Sequence, residues 1–300
     1  KDLMTHIDFL TLEIGSLRYR IDARDSGINL AVPQIFKPFL AKEPPLDPLS
    51  PSKAGDLRLV LIDDPQIFER VRGVPLCRSE VWELWRDDRG YDIFFSPRQT
   101  PPRRVTIDPS YQSGTIAFDF SALNGSDIYP LASTDIRITV NWLARFGDLI
   151  LHAASIVVGA EGYCFLGESG AGKSTLAAAL ATEMGVPILG EDQAILRNLD
   201  GEFWIFGTPW HERADRCLPQ GVPLKKVFFV DRNLAPGIHP ITPSEGVQRV
   251  LQTAFIPYYL PEKLPLILER LSLLASTVPF FTINPVLGSG LSSQIFNQQI

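Results

Sequence analysis

Tyr163-Cys-Phe-Leu-Gly-Glu-Ser-Gly-Ala-Gly-Lys-Ser-Thr175 decides how the rest of the chain is read. Within it, Gly167-x-x-x-x-Gly172-Lys173-Ser174 fits in full the pattern of a loop that binds phosphate. Glycine adopts backbone angles that other residues avoid, so such a loop can curl and aim successive N–H groups inward at phosphate oxygens. The spacing gives Lys173 reach to the β- and γ-phosphates of a nucleotide and lets the Ser174 hydroxyl ligate Mg²⁺. A helix that starts at the loop turns its positive end toward the same anion.

The flanks supply the setting that the motif requires. Residues 154–158 and 163–166 read as two strands joined by a turn at 159–162. Ser174-Thr-Leu-Ala-Ala-Ala-Leu-Ala-Thr182 is rich in Ala and Leu, both strong helix formers. The order is strand, glycine loop, helix. A glycine-rich turn with a surface lysine would not need these neighbours.

Working outward, the composition bounds the class. Three hundred residues suit one large or two modest domains, and 45% hydrophobic with 21% charged residues is ordinary for a globular protein. A net charge of −6, from 34 acidic and 28 basic residues, argues against a general nucleic-acid binder. No apolar run approaches a membrane span and no secretory signal is visible, so a cytoplasmic protein is expected. Cys77, Cys164 and Cys217 are far apart, lack metal spacing and read as reduced thiols. Twenty-five prolines imply many loops and edge strands.

Residues 1–130 read as a β-rich N-terminal subdomain, and 131–300 as the domain that carries the loop. In the first, 8–22 predicts a hairpin around Gly15-Ser16, and 81–85 with 91–95 predicts a second around Asp87-Asp-Arg-Gly90. Trp82, Trp85, Phe94 and Phe95 read as core packing on a sheet rather than a ligand site. Residues 41–55 are a proline-rich connection, and 57–62, 103–107 and 114–120 are further strands. In the second, 134–146 predicts a helix with Ile136, Val140 and Leu143 on one face. Helices are also predicted at 243–253 and 264–275. Strands are predicted at 185–190, 193–197, 202–206, 227–230 and 278–283, and 288–300 reads as a polar, loosely held tail.

A phosphate loop predicts binding; transfer also needs a metal carboxylate and a group that positions the nucleophile. Glu191-Asp192 follows the strand after the loop helix. In an α/β sheet that position falls at the same strand-end crevice as the loop. Two adjacent carboxylates can divide the work, one holding Mg²⁺ and the other orienting or deprotonating a hydroxyl. His152 begins the strand leading toward the loop, and spacing leaves a packed and a catalytic role equally open.

Leu151-His152, Gly167-Glu-Ser-Gly-Ala-Gly-Lys-Ser174 and Gly190-Glu-Asp192 together resemble the catalytic half of bacterial HPr kinase/phosphorylase. The likeness is nearest to the HPr kinase-related proteins found beside peptide-maturation genes, including those that phosphorylate lasso-peptide precursors. It covers about residues 147–200, and more loosely extends through Arg232. It implies an α/β, P-loop nucleotide-binding fold of the HPr kinase/phosphoenolpyruvate carboxykinase type, with a β-rich N-terminal region. It implies ATP and Mg²⁺ as cofactors. Gly167, Glu168, Ser169, Gly170, Ala171, Gly172, Lys173, Ser174 and Thr175 would hold the nucleotide, and Ser174 and Asp192 the metal. Asp192 would bind Mg²⁺, Glu191 would be a metal partner or base, and His152 would support the base or the transferring phosphate.

Two departures shape the expectation. Glu191 stands where the family has the first of two aspartates, and Gly207-Thr-Pro-Trp-His-Glu212 stands where it has a glycine-rich phosphorylase signature. The expected activity is therefore transfer of the γ-phosphate to a hydroxyl, Ser or Thr of a peptide or small protein, in the kinase direction only. Trp210, His211 and Arg213 are candidates for the acceptor side, with a structural loop as the equal alternative. A nucleotide-binding scaffold and a small-metabolite kinase are the rival readings. The expected partner is a peptide or small-protein acceptor, with no nucleic acid and no membrane; a homo-oligomer is compatible with the sequence.

Overall fold

The computed structural model describes residues 7–41, 55–67, 69, 73–96, 101–123, 127–211, 216–286 and 290–296. The chain is a sheet-rich, mixed α/β protein. It divides into two compact units, 1–138 and 139–300.

The first unit is one eight-stranded sheet. In chain order its strands are β1 (Phe9–Ile14), β2 (Leu17–Asp22), β3 (Asp56–Asp63), β4 (Val74–Arg78), β5 (Trp82–Asp87), β6 (Gly90–Phe95), β7 (Arg103–Ile107) and β8 (Ser113–Phe118). They lie in the order β1-β2-β3-β8-β7-β6-β5-β4. β3 runs parallel to both β2 and β8, and the remaining pairs are antiparallel. Gly15 (φ 61°) and Ser16 (φ 59°) turn the first hairpin with both φ angles positive, which matches the twist of the flanking strands. The second hairpin forms around 87–90 as its turn residues predict. Phe94 and Phe95 are buried, but Trp82 and Trp85 are only half-buried and carry Arg137 and Arg78 over their rings. Strand β4 escaped the sequence reading because Pro75, Cys77 and Arg78 carry no apolar alternation.

Helix α1 (Asp135–Ala144) contains the division between the units. The second unit then runs β9 (Leu149–Val158), β10 (Glu161–Leu166), α2 (Lys173–Met184), β11 (Ile188–Gly190), β12 (Gln193–Leu199), β13 (Glu202–Gly207), β14 (Gly221–Val230), β15 (Gly237–Pro240), α3 (Pro243–Thr253), α4 (Leu264–Thr277), β16 (Phe280–Asn284) and α5 (Leu291–Phe296). Two strands are longer than their apolar cores predicted, because each serves two partners. β9 pairs with β12 through 149–152 and with β10 through 153–158. β14 pairs with β13 through 221–223 and then runs parallel to β10. The path β10-β9-β12-β13-β14 thereby closes back on β10.

Side chains alternate between the two faces of this curled sheet, as strand geometry requires. Leu149, Leu151, Cys164, Leu166, Val227 and Phe229 enter one core with Val250 of α3 and Ile267, Leu271 and Leu274 of α4. Ala154, Ile156, Phe165 and Phe228 enter the other with Leu176, Ala177 and Leu180 of α2. Phe228 is stacked between Phe165 (centroids 5.6 Å) and Phe281 (5.5 Å), which ties β14 to the parallel strands on its two sides, β10 before the loop and β16. Thr242 caps α3 by accepting from the Glu245 amide at 3.3 Å, with Pro243 behind it.

The tail is a correction. Residues 291–296 form α5, with Leu291 and Ile295 buried one helical turn apart. Glu183 of α2 accepts from the amides of Gly290 (3.1 Å) and Ser292 (3.2 Å). Leu291 and Ile295 at helical spacing, with Phe296 edge-on to Tyr163 at 4.8 Å, dock a segment whose overall composition is polar.

Candidate functional site

Strand register builds the site. Ala153 of β9 lies opposite Leu166, the last residue of β10, so His152 stands beside the start of the loop. His152 is in turn opposite Gln193, the first residue of β12, which brings Asp192 to the same place. β10 and β14 are parallel with Leu166 opposite Phe229, so the chain leaving β14 at Asp231 emerges beside the loop as well. Four segments that are distant in sequence therefore meet at one end of the sheet, the strand-end position where α/β folds bind ligands.

The loop has the form its glycines predicted. Gly167 (φ 148°), Gly170 (φ 80°) and Gly172 (φ 101°) all have positive φ, and α2 starts at Lys173. At Gly167 a Cβ would also press on the Val230 carbonyl at 2.8 Å, so only glycine fits both the angle and the space. Glu168, Ser169, Gly170, Ser174 and Thr175 are exposed. The Lys173 side chain is folded in, its Nζ donating to the carbonyls of Gly167 and Glu168 at 3.0 Å each. Burial pushes the Lys173 ammonium below the ordinary lysine range, and the negative charge of Asp192 opposes that shift.

His152 and Asp192 form a pair. The ring Nδ1 is 2.9 Å from the Asp192 carbonyl and 3.0 Å from its Oδ1. Both partners only accept when the carboxylate is ionised, so Nδ1 carries the proton, and Nε2 is left as the acceptor of the neutral ring. Asp192 is itself in the left-handed region (φ 74°), which a short polar side chain tolerates better than most at a cost of about 1 kcal/mol. The Asp192 carbonyl accepts from the Ala153 amide at 3.1 Å, which locks the turn onto β9.

Glu191 faces elsewhere. It is buried, and its Oε1 accepts from Arg216 Nη1 at 2.8 Å. The adjacent acids thus occupy different surroundings, Glu191 committed to an arginine and Asp192 half-exposed beside His152. Arg216→Ala is expected to cost about 1–3 kcal/mol of stability, because it strands a buried carboxylate. The check is a lower urea midpoint at unchanged slope; a midpoint equal to wild type would show that water replaces the guanidinium.

A cavity of about 760 Å³ opens at this end of the sheet, within the size range of small-ligand sites. His152 and residues 167–171 line one part of it, and Arg232, Arg249, Thr253 and Phe255 line another. The α3 side is fixed by main-chain contacts, the Phe255 amide donating to the Ile150 carbonyl at 2.8 Å. Neither Trp210 nor His211 is among the residues lining the cavity, and Arg213 lies outside the described residues. Among the described residues no three His, Cys, Asp or Glu side chains cluster as a metal cage.

Arg232, Arg249 and Phe255 were not singled out by the sequence. The available signal was Asp231-Arg232-Asn233, a polar trio directly after a wholly apolar strand end. Its nearness to the loop needed the parallel pairing of β10 and β14, which no local pattern reveals.

No family model matches the chain, and no curated protein matches it. Among solved structures, it is similar to the HPr(Ser) kinase/phosphatase from Coxiella burnetii, at 14% identity and a TM-score of 0.27. That likeness spans 45% of this chain and 85% of the other. Among the described residues no helix is long and apolar enough to cross a membrane.

Proposed function

We propose that the chain is an ATP- and Mg²⁺-dependent phosphotransferase of the HPr kinase-related kind, acting on a Ser or Thr hydroxyl of a peptide or small protein. The observation that carries this reading is the His152–Asp192 pair, with its 3.0 Å contact, set beside a glycine loop that satisfies the full phosphate-binding pattern. The fold it belongs with is the P-loop α/β type suggested by the sequence.

In this reading the loop amides and the first turn of α2 hold the phosphates. Lys173 swings from the carbonyls of Gly167 and Glu168 to the β- and γ-phosphates. Ser174 and Asp192 would hold the cation, which would supply charge neutralisation at the phosphates. Asp192 Oδ1 keeps the proton on His152 Nδ1, so Nε2 is the atom that takes the proton from the acceptor hydroxyl. Glu191, paired with Arg216, positions the turn that carries Asp192.

The test is incubation with ATP labelled on the γ-phosphate, Mg²⁺ and a library of Ser- and Thr-containing peptides. Labelled phosphoserine or phosphothreonine is the expected product. Tight nucleotide binding without transfer to any acceptor, small hydroxyl compounds included, would leave the scaffold reading standing instead. Phosphorylated acceptor incubated with excess inorganic phosphate is expected to give no pyrophosphate.

A further inference from the structure

The cavity contains a cation that the phosphate-loop motif does not supply. Arg232 follows β14, and the register of β14 beside β10 places it next to the loop. Its guanidinium lies over Gly172, the last glycine before Lys173. A Cβ at that position would overlap Nη2 and come within 3.2 Å of Cζ and 3.3 Å of Nε. The turn that carries it is tied down. The Asp231 amide donates to the Ile283 carbonyl at 2.9 Å, and Asn284 Nδ2 donates to the Leu234 carbonyl at 2.7 Å.

Its neighbours leave it uncommitted. Asp231 lies 3.8 Å from Arg249, which also donates to Glu245 at 3.1 Å. Among the described residues no carboxylate engages Arg232 itself, although it lines the cavity with residues 167–171. An arginine fork held against a phosphate loop, with its donors unspent, is the geometry that recognises phosphate oxygens in pairs.

We infer that Arg232 is a phosphate-binding residue, contacting the nucleotide's polyphosphate from the β14 side of the cavity while Lys173 contacts it from within the loop. This rests on the phosphotransferase reading and adds to it a second cation that no loop pattern contains. It also gives Gly172 a second reason to be glycine, since any side chain there would displace the guanidinium.

Calorimetric titration of the whole chain tests it, with Mg²⁺-ATP and with adenosine as the uncharged control. Arg232 is exposed, so its truncation leaves the core intact. Arg232→Ala is expected to weaken ATP by about tenfold, Arg232→Lys to fall between Ala and wild type, and adenosine to be unaffected. ATP affinity equal to wild type in Arg232→Ala, or an equal loss for adenosine, would overturn the assignment while leaving the phosphate loop in place. A wild-type chain that does not bind ATP would overturn both.

Discussion

Asp192→Asn is expected to lower Mg²⁺-dependent phosphoryl transfer by about 10³-fold or more, the scale on which groups that organise transition-state charge are felt. The substitution keeps the side chain's size and removes its charge. Two functions go at once. In the proposed reading the cation would lose a carboxylate ligand, and His152 Nδ1 would face an amide instead of the carboxylate oxygen it contacts at 3.0 Å. The Asp192 main-chain carbonyl, 2.9 Å from the same nitrogen, would still hold its proton, so the loss falls on the carboxylate charge that would stabilise the ring once Nε2 takes up a proton. Nucleotide binding without metal should stay within about twofold, because the loop amides and Lys173 are untouched. The turn should survive too, since asparagine is as tolerant as aspartate of the left-handed angle at this position. Transfer at a near-normal rate in a folded Asp192→Asn protein would mean that metal and hydroxyl are organised elsewhere.

Lys173→Ala is expected to weaken ATP by at least about tenfold and to reduce turnover further, by about 10²–10³-fold, since the charge is needed most where negative charge develops. Folding should persist. The lysine begins α2, alanine is a better helix former, and only the two donor contacts to Gly167 and Glu168 are lost. Those contacts carry a second consequence. Because Lys173 is held by loop carbonyls, phosphate must compete with them, so part of the lysine's attraction is spent on its own release. Unchanged ATP affinity in a variant with wild-type circular dichroism would remove the basis for the phosphate-loop reading.

Local chemistry was legible where one segment contains its own explanation. The Gly15-Ser16 and 87–90 turns, the loop with its three positive-φ glycines, and the bounds of α3 follow from residues within a few positions of each other. The site was legible only in part. Asp192 lies at the end of a strand as expected and His152 beside the loop, but spacing left the role of His152 open, and nothing local says that Glu191 turns to Arg216. Arg232 was invisible for the same reason, because its place depends on which strands run parallel. The lengths of β9 and β14 were underestimated since their outer halves, such as 221–225, look irregular until a second partner is supplied. The tail was misjudged because average polarity outweighed the Leu291 and Ile295 spacing.

The closed path of strands in the second unit bears on how the candidate site can be lost. A sheet with free borders can fray from either side, shedding one strand while the rest hold. Here the strand carrying His152, the strand leading to the loop and the strand leading to Arg232 are links in one circuit, without a border among them. Breaking any link costs two rows of hydrogen bonds rather than one. Amide protons of β9, β10 and β14 should therefore exchange with solvent together, in the slowest class. The phosphate loop, the acidic turn and the arginine turn would then disappear only when the whole unit opens, so heat inactivation and global unfolding should coincide.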